Sequence, residues 1–194
     1  MENKGQREKK FTLKGILTPT LTLCIICAVV TAALAGTNAL TVDKIAQLEA
    51  GEQDTAMHRI LEADEYEERT GNLDGQEISY YIAKSGGETI GAVYITAARG
   101  YGGDVSVMTA VEAGGDIAAV EILSADDETP GLGQNAANPE FTGQFAGKSG
   151  QIEVVKSGAG ENQINALTGA TITSRAVADA VNDALELFEK EGIS

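Results

Sequence analysis

The sequence predicts an α+β protein: one N-terminal transmembrane helix, a helical stalk, then an antiparallel-sheet domain closed by a C-terminal helix. Three observations predict it. Residues 15–36 carry no charged side chain, four short β-branched or alternating segments between 77 and 123 are parted by glycine pairs, and residues 174–192 repeat apolar side chains at helical spacing.

The uncharged run GILTPTLTLCIICAVVTAALAG is long enough, at about 1.5 Å per residue, to cross a hydrocarbon layer of roughly 30 Å. We place the span at 15–37. Residues 1–14 hold five basic side chains against Glu2 and Glu8, a balance of 5 − 2 = +3, whereas the first charges after the span are Asp43 and Lys44. The lysine-rich tail therefore stays cytoplasmic, and the rest is exported across the cell (inner) membrane. A cleaved signal peptide is the competing reading, because Ala33-Leu-Ala-Gly36 resembles a small-residue cleavage site; the apolar run, however, exceeds the h-region length of about 7–15 residues.

Composition removes several function classes. The formal charge is −15, so everything after the basic tail carries −15 − 3 = −18, which repels nucleic acid. Cys24 and Cys27 both lie in the apolar run, and no further Cys or His is near enough to complete a metal shell, so this CxxC reads as two small apolar helix residues. The remaining domain has no thiol, and disulfides play no part in it.

Residues 38–70 are charged and helix-prone, and read as a partly exposed stalk carrying His58, the single histidine, in a surface or helix-packing role. From 71 to 194 the texture is that of a folded domain. Glu77–Ala83, Thr89–Thr96, Asp104–Val111 and Ile117–Leu123 read as strands, and Gly86-Gly87, Gly102-Gly103 and Gly114-Gly115 as the turns of an antiparallel meander. Ile152–Val155 is expected as one more strand. Val177, Val181, Ala184, Leu185 and Phe188 give the closing helix one apolar stripe to bury on the sheet.

Three motifs offer chemistry. Leu167-Thr-Gly-Ala-Thr-Ile-Thr-Ser174 stands at the start of that helix, where unpaired amides and the helix dipole favour an anion such as phosphate. Glu128-Thr-Pro-Gly-Leu-Gly133 predicts a type II turn with Gly131 at positive φ, read from the residues either as a plain surface turn after the preceding strand or as a loop whose backbone N–H groups and Leu132 can approach a flat ring. Gly100-Tyr-Gly-Gly103 leads into a strand, and Tyr101 either stacks near a ring or packs in the core.

The first motif resembles the flavinylation sequence of the FMN-binding domain family, Asp-x-x-Ser/Thr-Gly-Ala-Thr. The resemblance implies FMN held covalently through its phosphate on the hydroxyl of Thr171, with Thr168, Gly169 and Ala170 completing the motif. Asn165 stands at the leading acidic position; an amide can orient a hydroxyl but cannot deprotonate it. The other two segments resemble the GYGG and ETPGLG of the RnfG family, the G-type members of the Rnf ion-translocating electron transport complex, which are related to the NqrC component of the Na⁺-translocating NADH:quinone reductase. That implies flavin contacts from Glu128, Thr129, Pro130, Gly131, Leu132 and Gly133, and maturation by a flavin transferase that uses FAD and Mg²⁺. It further implies an electron relay within an ion-translocating ferredoxin:NAD⁺ complex, beside the A, D and E membrane components and the peripheral B and C components. No nicotinamide fold or iron–sulfur signature occurs in residues 38–194, so the chain is not catalytic alone. The quinone-reductase component, and a non-redox anchored module whose threonine turn only caps a helix, are the alternatives.

Overall fold

A computed structural model describes residues 13–73 and 75–193; the tail assigned to residues 1–14 lies almost wholly outside them. The chain forms two compact units, 1–51 and 52–194. Helix α1, Leu13–Ile60, runs from the first into the second. Within it, Leu17–Val42 is 26 residues long and apolar enough to cross a membrane, about 39 Å at 1.5 Å per residue. Leu21, Val29 and Leu34 are exposed on its surface, as are Cys24 and Cys27.

Two expectations for the stalk are corrected. The helix ends at Ile60 instead of reaching residue 70, and Glu65–Leu73 is a strand, β1. The charges of this segment suggest a helix, yet β1 is an edge strand with mostly exposed side chains, and an edge carries charges without cost to the core. His58 sits exposed at the end of α1, edge-on to Tyr66 with ring centroids 4.8 Å apart.

The remaining strands of the main sheet are β2 (Gln76–Ser85), β3 (Glu88–Arg99), β4 (Asp104–Glu112) and β5 (Ile117–Ser124), in the order β1-β2-β3-β4-β5 with every pair antiparallel. Gly86-Gly87 makes a two-residue hairpin, Ser85 opposite Glu88, with both glycines at positive φ. GYGG spans the β3–β4 connection, where Gly100 N–H donates to Gly103 O at 2.8 Å. The strand expected at 152–155 is observed at Glu153–Val155 (β6), but it does not join the meander. It pairs in parallel with Gln163–Asn165 (β7) as a separate ribbon.

Both faces of the main sheet are covered, which is why β3 and β4 are apolar on successive residues. On one face Ala56 and Met57 of α1 pack on Val93, Met108 and Ala110. On the other, the closing helix (Thr171–Glu191) buries Val177, Val181, Ala184, Leu185 and Phe188 against Tyr94, Val105, Val107 and Val111, the stripe predicted from its spacing. A single helical turn, α2 (Pro139–Thr142), precedes it in the chain, so the closing helix is α3. Gly192, at φ +60°, ends α3 in a left-handed cap. Packing on the sheet fixes where the first turn of α3 meets the loops after β3 and β5.

Candidate functional site

The loop after β5 is set by its glycines. Leu132 N–H donates to Thr129 O at 3.1 Å and Gly131 has φ +76°, so Pro130 and Gly131 occupy the corners of the predicted type II turn. A short 3₁₀ turn, Gly133–Ala137, follows. At Gly133 a Cβ would stand 2.4 Å from Glu128 Oε2 and 2.8 Å from Thr173 Oγ1. Only glycine lets the loop close on the carboxylate there.

That carboxylate is the junction of all three motifs. Glu128 is 2% exposed. Its Oε1 accepts from Gly102 N–H at 2.9 Å and its Oε2 accepts the hydroxyl proton of Thr173 in a short hydrogen bond. Burial would raise its pKa, but the hydroxyl of Thr173 and the amides of Gly102, Gly103 and Tyr101 outweigh this and hold it below the ordinary carboxylate value. The glycines of GYGG follow from the same packing: a Cβ on Gly100 would lie 2.4 Å from Glu128 Oε1, and one on Gly102 1.8 Å from Asp127 O. A charged strut thus fastens the β3–β4 loop and the Glu128–Gly133 loop to the first turn of α3.

Thr171 is the first residue of α3, half-buried, behind Ala170 at the N-cap. No side chain caps this end. In the first turn, the Ser174 hydroxyl accepts from Leu167 N–H and donates to Ala170 O, both at 2.9 Å, which locks the turn before the helix. Gly169 at φ +76° reverses the chain, and Leu132 lies over it, with its Cδ2 3.0 Å from where a Cβ would be.

A hollow of about 590 Å³ opens between these loops, lined by Tyr101, Glu128, Thr129, Leu132, Gly133 and residues 169–173. It therefore gathers Thr171, Gly169, Ala170, Glu128, Thr129, Leu132 and Gly133 of the expected set. Pro130 and Gly131 form the exposed corner of the turn and do not line it. Asn165 and Thr168 line a neighbouring hollow with Gln144 and Asn138, because the turn at Gly169 faces Thr168 and Thr171 to different sides. Asn165 is a structural lock: its N–H and Nδ2 both donate to Gln144 Oε1, at 2.8 and 3.2 Å, and its Oδ1 accepts from Ala159 N–H at 3.2 Å. It does not orient Thr171. Thr173 and Ile172 line the hollow without having been singled out from the sequence.

The hollow fits FMN on three counts. Its volume is that of a small-molecule site. Tyr101, Leu132 and Ile172 are exposed apolar side chains at its rim, a costly arrangement in water that a flat aromatic ring would cover. The uncapped amides of α3 beside Thr171 suit a phosphate. A more polar hollow of about 530 Å³ beside Ile78 and Thr96 holds none of the candidate residues.

Comparison with known proteins agrees with this geometry. Residues 100–186 match the FMN-binding domain family, and residues 10–60 match the RnfG N-terminal region. The G component of the proton-translocating ferredoxin:NAD(+) oxidoreductase complex of Clostridium ljungdahlii is 35% identical over 88% of this chain and 89% of its own length. Its counterpart in the Na(+)-translocating ferredoxin:NAD(+) oxidoreductase complex of Acetobacterium woodii is 35% identical over 87% and 89%. Among solved structures, the C component of the Na(+)-translocating NADH-quinone reductase of Parabacteroides distasonis superposes with a TM-score of 0.52 at 26% identity, over 61% of this chain and 64% of that one. The anchor region, the flavin-domain motifs and relatives matched along nearly their whole length agree: the chain belongs to the RnfG family and contains an FMN-binding domain.

Proposed function

We propose that this protein is the electron-relay flavoprotein of a membrane-bound, ion-translocating ferredoxin:NAD⁺ oxidoreductase complex, carrying FMN as a phosphodiester on Thr171. It is anchored by a single span, with residues 1–14 cytoplasmic and the sheet domain, from β1 onward, on the opposite side. Its partners are the other subunits of that complex and, during maturation, a flavin transferase. The observation that carries the reading is the place of Thr171: a half-buried hydroxyl at the uncapped start of α3, on the wall of an apolar-rimmed hollow.

In the attachment step Thr171 Oγ1 forms a bond to the FMN phosphorus of FAD, the bond to AMP breaks, and the hydroxyl proton is lost. Among the described residues, no strong base lines the hollow. The donors on Glu128 hold its pKa below the ordinary carboxylate value and so make it a weak base, and Asn165 lies elsewhere and is an amide. The base therefore comes from the transferase. Once attached, the isoalloxazine supplies the one-electron chemistry. Tyr101, Leu132 and Ile172 cover its apolar faces, and the α3 amides hold the phosphate ester. A covalent link also frees retention from the concentration of free FMN, an advantage for a domain whose acidic surface repels an anionic ligand.

The NqrC component of a Na⁺-translocating NADH:quinone reductase is the second reading, favoured by the shared fold. Its solved relative, however, matches less of the chain at lower identity than the two ferredoxin:NAD(+) oxidoreductase relatives do. The test is Thr171→Ala co-expressed with the flavin transferase. Thr171 provides no cap hydrogen bond, so the variant folds as wild type while in-gel flavin fluorescence disappears. Covalent fluorescence persisting in that variant would refute the assignment.

A further inference from the structure

The hollow contains a single charged side chain, and its sign opposes flavin reduction. Among the described residues, none lining it is Lys, Arg or His. Glu128 is buried, so water screens its charge weakly. Asp126 and Asp127 precede it directly, and Asp127 packs against Gly103 at the same junction. The hydrogen bonds from Gly102 and Thr173 are made to the ionised form and keep Glu128 charged at neutral pH. Reduction adds electrons to the isoalloxazine, and flavin sites tune that equilibrium through charge near the ring. A cation would draw the electrons in; this site presents the reverse.

We propose that Glu128 sets the reduction potential of the bound flavin, holding it low by keeping one weakly screened negative charge in the wall of the pocket. The strut that shapes the site and the charge that tunes it are then the same group. A low potential suits a centre that must pass its electrons on: a reduced centre of a neighbouring subunit supplies them, solvent supplies the protons through the open mouth of the hollow, and the carboxylate favours their release. The inference rests on the FMN reading above.

The test is a redox titration, followed by flavin absorbance, of the full-length detergent-extracted protein matured with the transferase, as wild type, Glu128→Gln and Glu128→Asp. Glu128→Gln keeps the shape of the side chain and removes the charge; Glu128→Asp keeps the charge and shortens the strut. The midpoint potential rises in Glu128→Gln and stays close to wild type in Glu128→Asp. An unchanged or lowered potential in Glu128→Gln overturns the proposal, and so does an equal rise in both variants, which would trace the effect to loop geometry. The absence of flavin from wild type overturns the FMN reading and this proposal with it; flavin present with an unmoved potential overturns only the proposal.

Discussion

Replacing Thr173 with valine removes one donor from a buried carboxylate while keeping the volume of the side chain. Thr173 is 1% exposed and Glu128 2% exposed, so no water takes the place of the lost hydroxyl. A hydrogen bond to a charged group contributes about 1.5–3 kcal/mol. At about 3 °C per kcal/mol for a domain of this size, the melting temperature falls by roughly 5–9 °C. The measurement is thermal unfolding followed by near-ultraviolet circular dichroism on flavin-free, detergent-solubilised full-length protein, so that ligand binding does not enter. The loss depends on pH with a definite sign. The folded-state pKa of Glu128 is depressed, so its ionised contacts stabilise the fold above the unfolded value near 4.5 and stop doing so as pH falls through the folded value. The gap between Thr173→Val and wild type is therefore full at neutral pH and narrows in acid toward that of a neutral hydrogen bond, about 1 kcal/mol. A valine variant as stable as wild type at pH 7, or a gap that widens in acid, would refute the strut.

Gly133→Ala places a methyl 2.4 Å from Glu128 Oε2, so the loop must open; flavin incorporation, read by in-gel fluorescence, falls because a lining loop is displaced from a preformed pocket, while far-ultraviolet circular dichroism is retained. Leu187→Ala, in contrast, empties a fully buried site on α3 and lowers stability by about 2–5 kcal/mol, read from denaturant unfolding, without altering the chemistry of the pocket.

Much of the fold could be read where local chemistry decides conformation. The hairpin at Gly86-Gly87, the stripe on α3 and the turn at Pro130-Gly131 depend on neighbouring residues alone, and each stands where the sequence predicts it. The edge strand β1 escapes such a reading because Glu65, Glu67, Glu68 and Arg69 give it the charge texture of an exposed helix. A competing signal is present in Asp74-Gly75, a dipeptide suited to a two-residue hairpin: Leu73 pairs with Gln76, and Gly75 stands at φ +87°. The parallel ribbon of β6 and β7 depends on how the 156–162 loop folds back, which no periodicity encodes.

At the site, the position of Thr171 at the start of α3 is legible from the sequence, whereas the strut is not, because Glu128 and Thr173 lie 45 positions apart. A signal is nevertheless present. Thr173 falls four residues before Val177, in register with the buried stripe of α3, and a hydroxyl on a core stripe needs a buried partner. Asn165 misleads for the opposite reason: a motif position implies proximity to Thr171, while the positive φ of Gly169 turns the two apart.

The proposed bond between Thr171 and FMN is put to the test by peptide mass mapping of the protein extracted from its native membrane. The expected result is a Thr171 peptide heavier by FMN less one water, with fragmentation assigning the gain to that threonine. The same peptide at bare polypeptide mass, or the gain on Thr168 or Thr173, would contradict it.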